Sequence, residues 1–267
     1  VGCGDGDVTA RAAEHHLRSG GRRTRARLAL QFGHALDLPQ SVRTALAAAA
    51  ELLHNASLIH DDIQDHSIRR RERESLWVQF GSGIALSVGD LFISAASSAL
   101  CQAPVHSQHL PTLAAHLHDV TRRCIRGQND ELELRAETIT MARYERIVGA
   151  KSGALLGLPA ELPLMAAGQE RWCRSVATAA RQLATAYQII DDLDDIASDL
   201  GDASSDHRCL NVVAILNQQQ VHDPRSEAAR LARLRLNEAV ASIDALPEAC
   251  RLAFGELAER LRSRLPA

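Results

Sequence analysis

Lysine is almost missing from this chain: of 30 basic residues only Lys151 is not arginine. Aromatic residues make up 3% of the 267 positions, so a core must be assembled mainly from Leu, Ala, Ile and Val. With few Gly and Pro among them, those residues favour helix. A net charge of -3 lacks the basic excess of a general nucleic-acid binder, and no nucleic-acid partner is expected. The six cysteines, Cys3, Cys101, Cys124, Cys173, Cys209 and Cys250, form no CxxC pair. Such spacing fits reduced thiols and a cytoplasmic location better than a disulfide framework or a zinc site. Asp90 interrupts the apolar run 84–100, and Pro159, Glu161 and Pro163 interrupt 154–167, so no transmembrane segment is expected. No signal peptide is expected either.

What is present is helical periodicity. Leu46, Ala49, Ala50, Leu53, Leu58 and Ile59 form a stripe over 44–65, and similar patterns cover 84–101, 109–137, 141–156, 170–199 and 226–263. Pro39, Pro111, Pro163 with Gly168, and the stretch 199–206 punctuate them. No segment alternates like a strand. The expectation is one all-α domain over 1–267, loose at 1–7.

Two segments repeat one acidic pattern: Asp61-Asp62-Ile63-Gln64-Asp65 and Asp191-Asp192-Leu193-Asp194-Asp195. On a helix, i and i+4 share a face, so Asp61 and Asp65 point one way with Asp62 beside them. Asp191, Asp192 and Asp195 repeat that arrangement. Crowded carboxylates repel, and a hard cation that takes carboxylate oxygens and bridges to phosphate would offset this. A single such cluster reads equally as a solvated helix end. Two, each interrupting an apolar helix, point to magnesium and a diphosphate.

Cations suited to phosphate lie nearby. Gly20-Gly21-Arg22-Arg23-Thr24-Arg25 sets three guanidiniums behind a glycine pair, and Arg69-Arg70-Arg71 follows the first cluster. His54 stands two helical turns before Asp61, on the same face. Read alone, each is an ordinary basic turn, a solvated run or a structural histidine.

The ordered set is more specific than its parts. Gly20 to Arg25, Glu51 to Asp65 with Arg70-Arg71, Gly89-Asp90, Gly127-Gln128, Lys151-Ser152 and Tyr187 to Asp192 resemble the motifs of the trans-isoprenyl diphosphate synthases, the polyprenyl synthetase family. The resemblance runs over roughly residues 20–215. It implies an all-α helical bundle around a deep central cavity, and a homodimer. It also implies head-to-tail condensation of isopentenyl diphosphate with an allylic diphosphate. Three Mg2+ ions are implied, held by Asp61, Asp62 and Asp65 on one side and by Asp191, Asp192 and Asp195 on the other. By position in the family pattern, Arg22, Arg23, His54 and Arg71 bind isopentenyl diphosphate, while Arg70, Lys151, Ser152 and Gln188 hold the allylic partner. Asp61, Asp62, Lys151, Asp191 and Asp192 would carry catalysis.

The chain also departs from that pattern. Arg22 and Ser152 replace a lysine and a threonine, Glu131 replaces an aspartate, and Glu72 follows Arg71 in place of a glycine. The stretch 199–210 offers only His207 and Arg208 where the family has lysines. The second cluster is therefore expected to be poor in cations. Small residues four and five positions before Asp61, Ser57 and Ala56, leave room for a product of C20 or longer; they serve close helix packing equally well. A class I terpene cyclase and a catalytically silent partner of a synthase are the competing readings.

Overall fold

The computed structural model describes residues 7–70, 73–134, 139–199 and 210–265, with the backbone alone for 195–199. Helices dominate, as the Ala- and Leu-rich composition predicts. In chain order they are α1 (Val8–Arg18), α2 (Thr24–Ala35), α3 (Gln40–Gln64), α4 (Leu76–Phe80), α5 (Ser82–Cys101) and α6 (Leu110–Leu132). α7 (Met141–Val148), α8 (Ala154–Ala166), α9 (Cys173–Asp199), α10 (Val212–Gln218), α11 (Pro224–Ser242) and α12 (Glu248–Arg262) follow. A two-residue antiparallel ribbon, β1 (Arg69–Arg70) with β2 (Arg73–Glu74), sits between α3 and α4; the sequence showed no alternation by which to expect it.

α3 packs along α5 and α9 along α11, while α8 touches α2, α3, α6 and α9. α8 is buried at every position from Ala154 to Met165, and its one charged residue, Glu161, meets His116 Nε2 at 2.7 Å. It runs through Pro159 and Pro163, where the sequence predicted an end. An interior proline costs about 3 kcal/mol, and burial of Leu155, Leu156, Leu158, Leu162 and Leu164 outweighs that. The expected helix over 226–263 is two helices. Ile243 closes α11 and Pro247 opens α12. Asp7 is not loose either: its carboxylate caps α1 by accepting from the N–H groups of Thr9 and Ala10.

Among the described residues one helix, α5, is long and apolar enough to cross a bilayer. Its Ala85, Val88, Phe92, Ala96 and Leu100 face is buried, and the helix packs along α3, the element that carries the first acidic cluster.

Candidate functional site

The first cluster closes α3. Asp65 is its C-cap, with its backbone N–H bonded to the Asp61 carbonyl at 2.8 Å. The neighbouring aspartates separate. Asp62 turns inward, 2% exposed, and Arg70 from β1 clamps it: Nε lies 2.8 Å from both carboxylate oxygens and a terminal nitrogen 2.7 Å from Oδ1. Asp61 faces Lys151, whose Nζ is 3.7 Å from Asp61 Oδ1 and 2.9 Å from Glu131 Oε2. Burial, reinforced by Asp65 and Glu131, pushes the Asp61 carboxyl up to about 6 against the opposing effect of Lys151. Desolvation also holds Asp65 above its usual value. Burial alone would lower the Lys151 ammonium, but Asp61 and Glu131 outweigh it and leave its pKa raised.

Lys151 is aimed by an unusual backbone. It lies in a single turn of π-helix, Gly149–Gly153, a form that recurs at functional sites. Three glycines seat this turn. A Cβ on Gly127 of α6 would lie 2.7 Å from the Lys151 backbone nitrogen; on Gly149 and Gly153 it would lie 3.0 Å from Arg181. Gly127 thus brings α6, and with it Glu131, against the lysine.

The second cluster repeats the division with different partners. Asp192 is buried, and neutral groups hold it: Tyr144 Oη donates at 2.8 Å, Gln188 Nε2 at 2.9 Å and the Val212 N–H at 2.8 Å. Even so, burial pushes its carboxyl up to about 6. Asp191 accepts from Arg264 at 2.7 Å, and the same guanidinium reaches Asp194 at 2.7 Å while lying 5.5 Å over the Tyr187 ring. The cluster expected to be poor in cations has one. It comes from beyond α12, a segment that no motif linked to this cluster.

Arg25, in the first turn of α2, is half-buried. Arg25 is within electrostatic reach of Cys124, a thiol that burial pushes up to about 12 and that Asp61 and Lys151 also influence. Arg25 acts equally on Tyr187, beside Asp191 and Arg264. Arg23 turns the other way, donating to the Leu17 carbonyl at 2.5 Å and lying 3.5 Å from Glu51. Arg22 is exposed in the same loop, and His54 is buried on α3. Ala56 packs in an apolar cluster with Ile59, Leu76 and Phe92, and the Ser57 hydroxyl donates to the His54 carbonyl. Arg71, Glu72, His207, Arg208 and the Asp195 side chain lie outside the described residues.

Among the described residues no group of three His, Cys, Asp or Glu side chains closes a metal cage. Magnesium does not require one, since it keeps waters and shares its shell with substrate phosphates. The donor chemistry fits: Asp61, Asp65 and Glu131 supply carboxylates against the single Lys151, while Arg70 is committed to Asp62.

A doubled acidic site on a nearly all-helical scaffold defines the isoprenoid synthase fold, and solved structures agree. The geranylgeranyl pyrophosphate synthetase of Geoglobus acetivorans superposes with a TM-score of 0.87 over 97% of this chain and 92% of that one, at 23% identity. An isoprenoid synthase family member from Thermotoga neapolitana superposes at 0.79 over 98% and 94%, with 24% identity. The profile of the Polyprenyl synthetase family matches residues 7–236, and the chain belongs to that family. Among curated relatives, the (2E,6E)-farnesyl diphosphate synthase of Mycobacterium tuberculosis is 32% identical over 151 residues, covering 55% of this chain and 41% of that protein. The geranylgeranyl diphosphate synthase of the same organism is 29% identical over 221 residues, 79% of this chain and 61% of that one. The matches thus span about two fifths to three fifths of those relatives' lengths.

Proposed function

We propose that the chain is a prenyltransferase that condenses isopentenyl diphosphate head-to-tail with an allylic diphosphate, giving an all-trans product of C20 or longer. The observation that carries this reading is the convergence of Asp61 and Glu131 on the chain's single lysine, which Gly127 and a π turn hold in place. Asp62 and Asp192, expected among the metal ligands, are taken up by Arg70 and by Tyr144, Gln188 and Val212. Magnesium, three ions being expected, would therefore be held by Asp61 and Asp65 and by Asp191 with Asp195, and would supply charge neutralisation for the departing diphosphate.

The protein's own groups bind and orient. Lys151 and Ser152 hold the allylic diphosphate, whereas Arg70 and Gln188, expected to share it, are bonded to Asp62 and Asp192. Arg22, Arg25 and His54 hold isopentenyl diphosphate, with Arg71 assigned by the family pattern and Arg23, expected there too, turned to Leu17 and Glu51. Asp62 ties the end of α3 to β1 through Arg70, and Asp192 ties α9 to α7 and the start of α10 through Tyr144 and Val212, with Gln188 as a third donor. The allylic carbon–oxygen bond breaks, and its electron pair leaves with diphosphate. The double bond of isopentenyl diphosphate then forms the new carbon–carbon bond, and the resulting cation loses a proton to the departed diphosphate. No side-chain nucleophile takes part. Exclusion of water protects the cation from capture.

The names of the relatives speak for C15 and C20 products of those proteins. For this chain the C20 reading rests on small Ala56 and Ser57. A cytoplasmic homodimer is inferred from the family pattern.

The test is incubation with labelled isopentenyl diphosphate and dimethylallyl, geranyl, farnesyl or geranylgeranyl diphosphate, with and without Mg2+. Magnesium-dependent extension is expected, and Ala56→Phe should shorten the product. Unchanged length would remove the pocket assignment. No extension from any primer would leave the cyclase and silent-partner readings.

A further inference from the structure

Glu51 is a carboxylate beside a loop that should attract anions, and its own bonds explain why it is there. The loop before α2 is strained: Gly20 and Gly21 have φ of 82° and 118°, and Arg23, which has a Cβ, sits at 49°. Left-handed backbone at a non-glycine residue persists only where its surroundings hold it. α2 also begins without a side-chain cap from its own N-cap residue, Arg23. Glu51, from α3, supplies what both lack. Its Oε2 accepts the Ala26 N–H at 3.1 Å, and its Oε1 lies 3.5 Å from an Arg23 terminal nitrogen. Asn55, one turn on, donates to the Glu51 carbonyl at 2.7 Å and to Oε1 at 3.3 Å, while its own oxygen meets His16 Nε2 at 3.0 Å. His16 and Asn55 are both buried. A chain of polar contacts therefore runs from α1 through α3 to the start of α2.

We propose that Glu51 is a positioning residue for the isopentenyl diphosphate half of the site: it caps α2 and pins Arg23, so that Arg22 and Arg25 meet the diphosphate in a loop already shaped. This rests on the function proposed above. Its negative charge is committed to Ala26 and Arg23, which lets a carboxylate stand next to an anion site. Arg23 then serves as the handle of the loop.

Calorimetric binding of isopentenyl diphosphate alone, which cannot turn over, separates the two layers. If the parent protein binds none, the functional reading fails and the proposal falls with it. If the parent binds, Glu51→Ala should weaken binding and raise the KM for isopentenyl diphosphate roughly tenfold or more, because the loop must then be ordered at the expense of binding. The kcat and the allylic KM should stay within about threefold, the pattern of lost ground-state binding. Glu51→Gln, whose amide oxygen can still accept from Ala26, should recover most of the affinity, and it remains informative if the alanine variant does not fold. Arg23→Ala combined with Glu51→Ala should be little worse than Glu51→Ala alone. An unchanged KM in both Glu51 variants, or a fall in kcat with both KM values moving together, overturns the proposal.

Discussion

The two acidic clusters carry one sequence pattern and are held by opposite chemistry. In the first, the inward Asp62 is clamped by a cation, Arg70, and Asp61 is left beside Lys151. In the second, the inward Asp192 is held by a phenol, an amide and a backbone N–H, and the cation, Arg264, sits on Asp191 and Asp194. Charge is spent inside the first cluster and outside the second. The doubled motif thus has a common outline: the second aspartate of each pair is buried and held by fixed donors, and the first faces a single cation, Lys151 or Arg264.

That difference can be broken by substitution. The largest effect is expected at Asp61 and Asp191, where asparagine should lower magnesium-dependent condensation by more than about a hundredfold, consistent with loss of charge stabilisation in the transition state. Next comes Arg70→Ala. It strands a buried carboxylate and should cost about 3–5 kcal/mol in urea unfolding. Tyr144→Phe removes one of three neutral donors from Asp192 and should cost about 1 kcal/mol. Equal losses from the two would show that the clusters are held alike.

Gly127→Ala should lower kcat at least tenfold by forcing Lys151 from Asp61 and Glu131, since misplacing a positioning group by about 1 Å can cost a hundredfold. Gly83→Ala, where a Cβ meets nothing, is the control and should leave kcat unchanged. The pH dependence has a definite sign. Burial pushes the Asp61 carboxyl up to about 6 in the folded protein, above its ordinary range, so the folded state keeps a proton that the unfolded state releases. Its charge costs stability as pH rises from about 4 to about 6, and the cost is constant above that window. Asp61→Asn should therefore raise the Tm of the metal-free protein at pH 7, with the gain vanishing below about pH 4. The smallest effect is expected at Arg264→Gln, which frees Asp191 and should lower the magnesium concentration for half-maximal rate about two- to threefold, as loss of a partly exposed ion pair allows.

Much of this was legible in the sequence, for physical reasons that also mark the limit. The helix bearing Asp61, Asp62 and Asp65 announced itself by its apolar stripe, and both clusters by their spacing. Lys151 stood out by composition alone. The π turn that aims it did not, because its cause is the approach of Gly127 from another helix. Arg264 was hidden for a similar reason: seventy-odd residues separate it from Asp191, and only the packing of α12 on α9 unites them. Pro159 and Pro163 misled because burial of α8 outweighs a local rule. Arg22 and Arg23 read as a matched pair of phosphate ligands, and only Glu51 and Leu17 show that Arg23 is turned inward.

The central claim is that both clusters serve one diphosphate-releasing reaction. Its most direct test is the incorporation of label from isopentenyl diphosphate into an allylic primer by the parent protein, Asp61→Asn and Asp191→Asn, each with Mg2+ or with chelator. Extension is expected from the parent only with Mg2+, and is expected to be lost in both variants with their folds intact. Extension that persists in either variant, or in the presence of chelator, would contradict the claim.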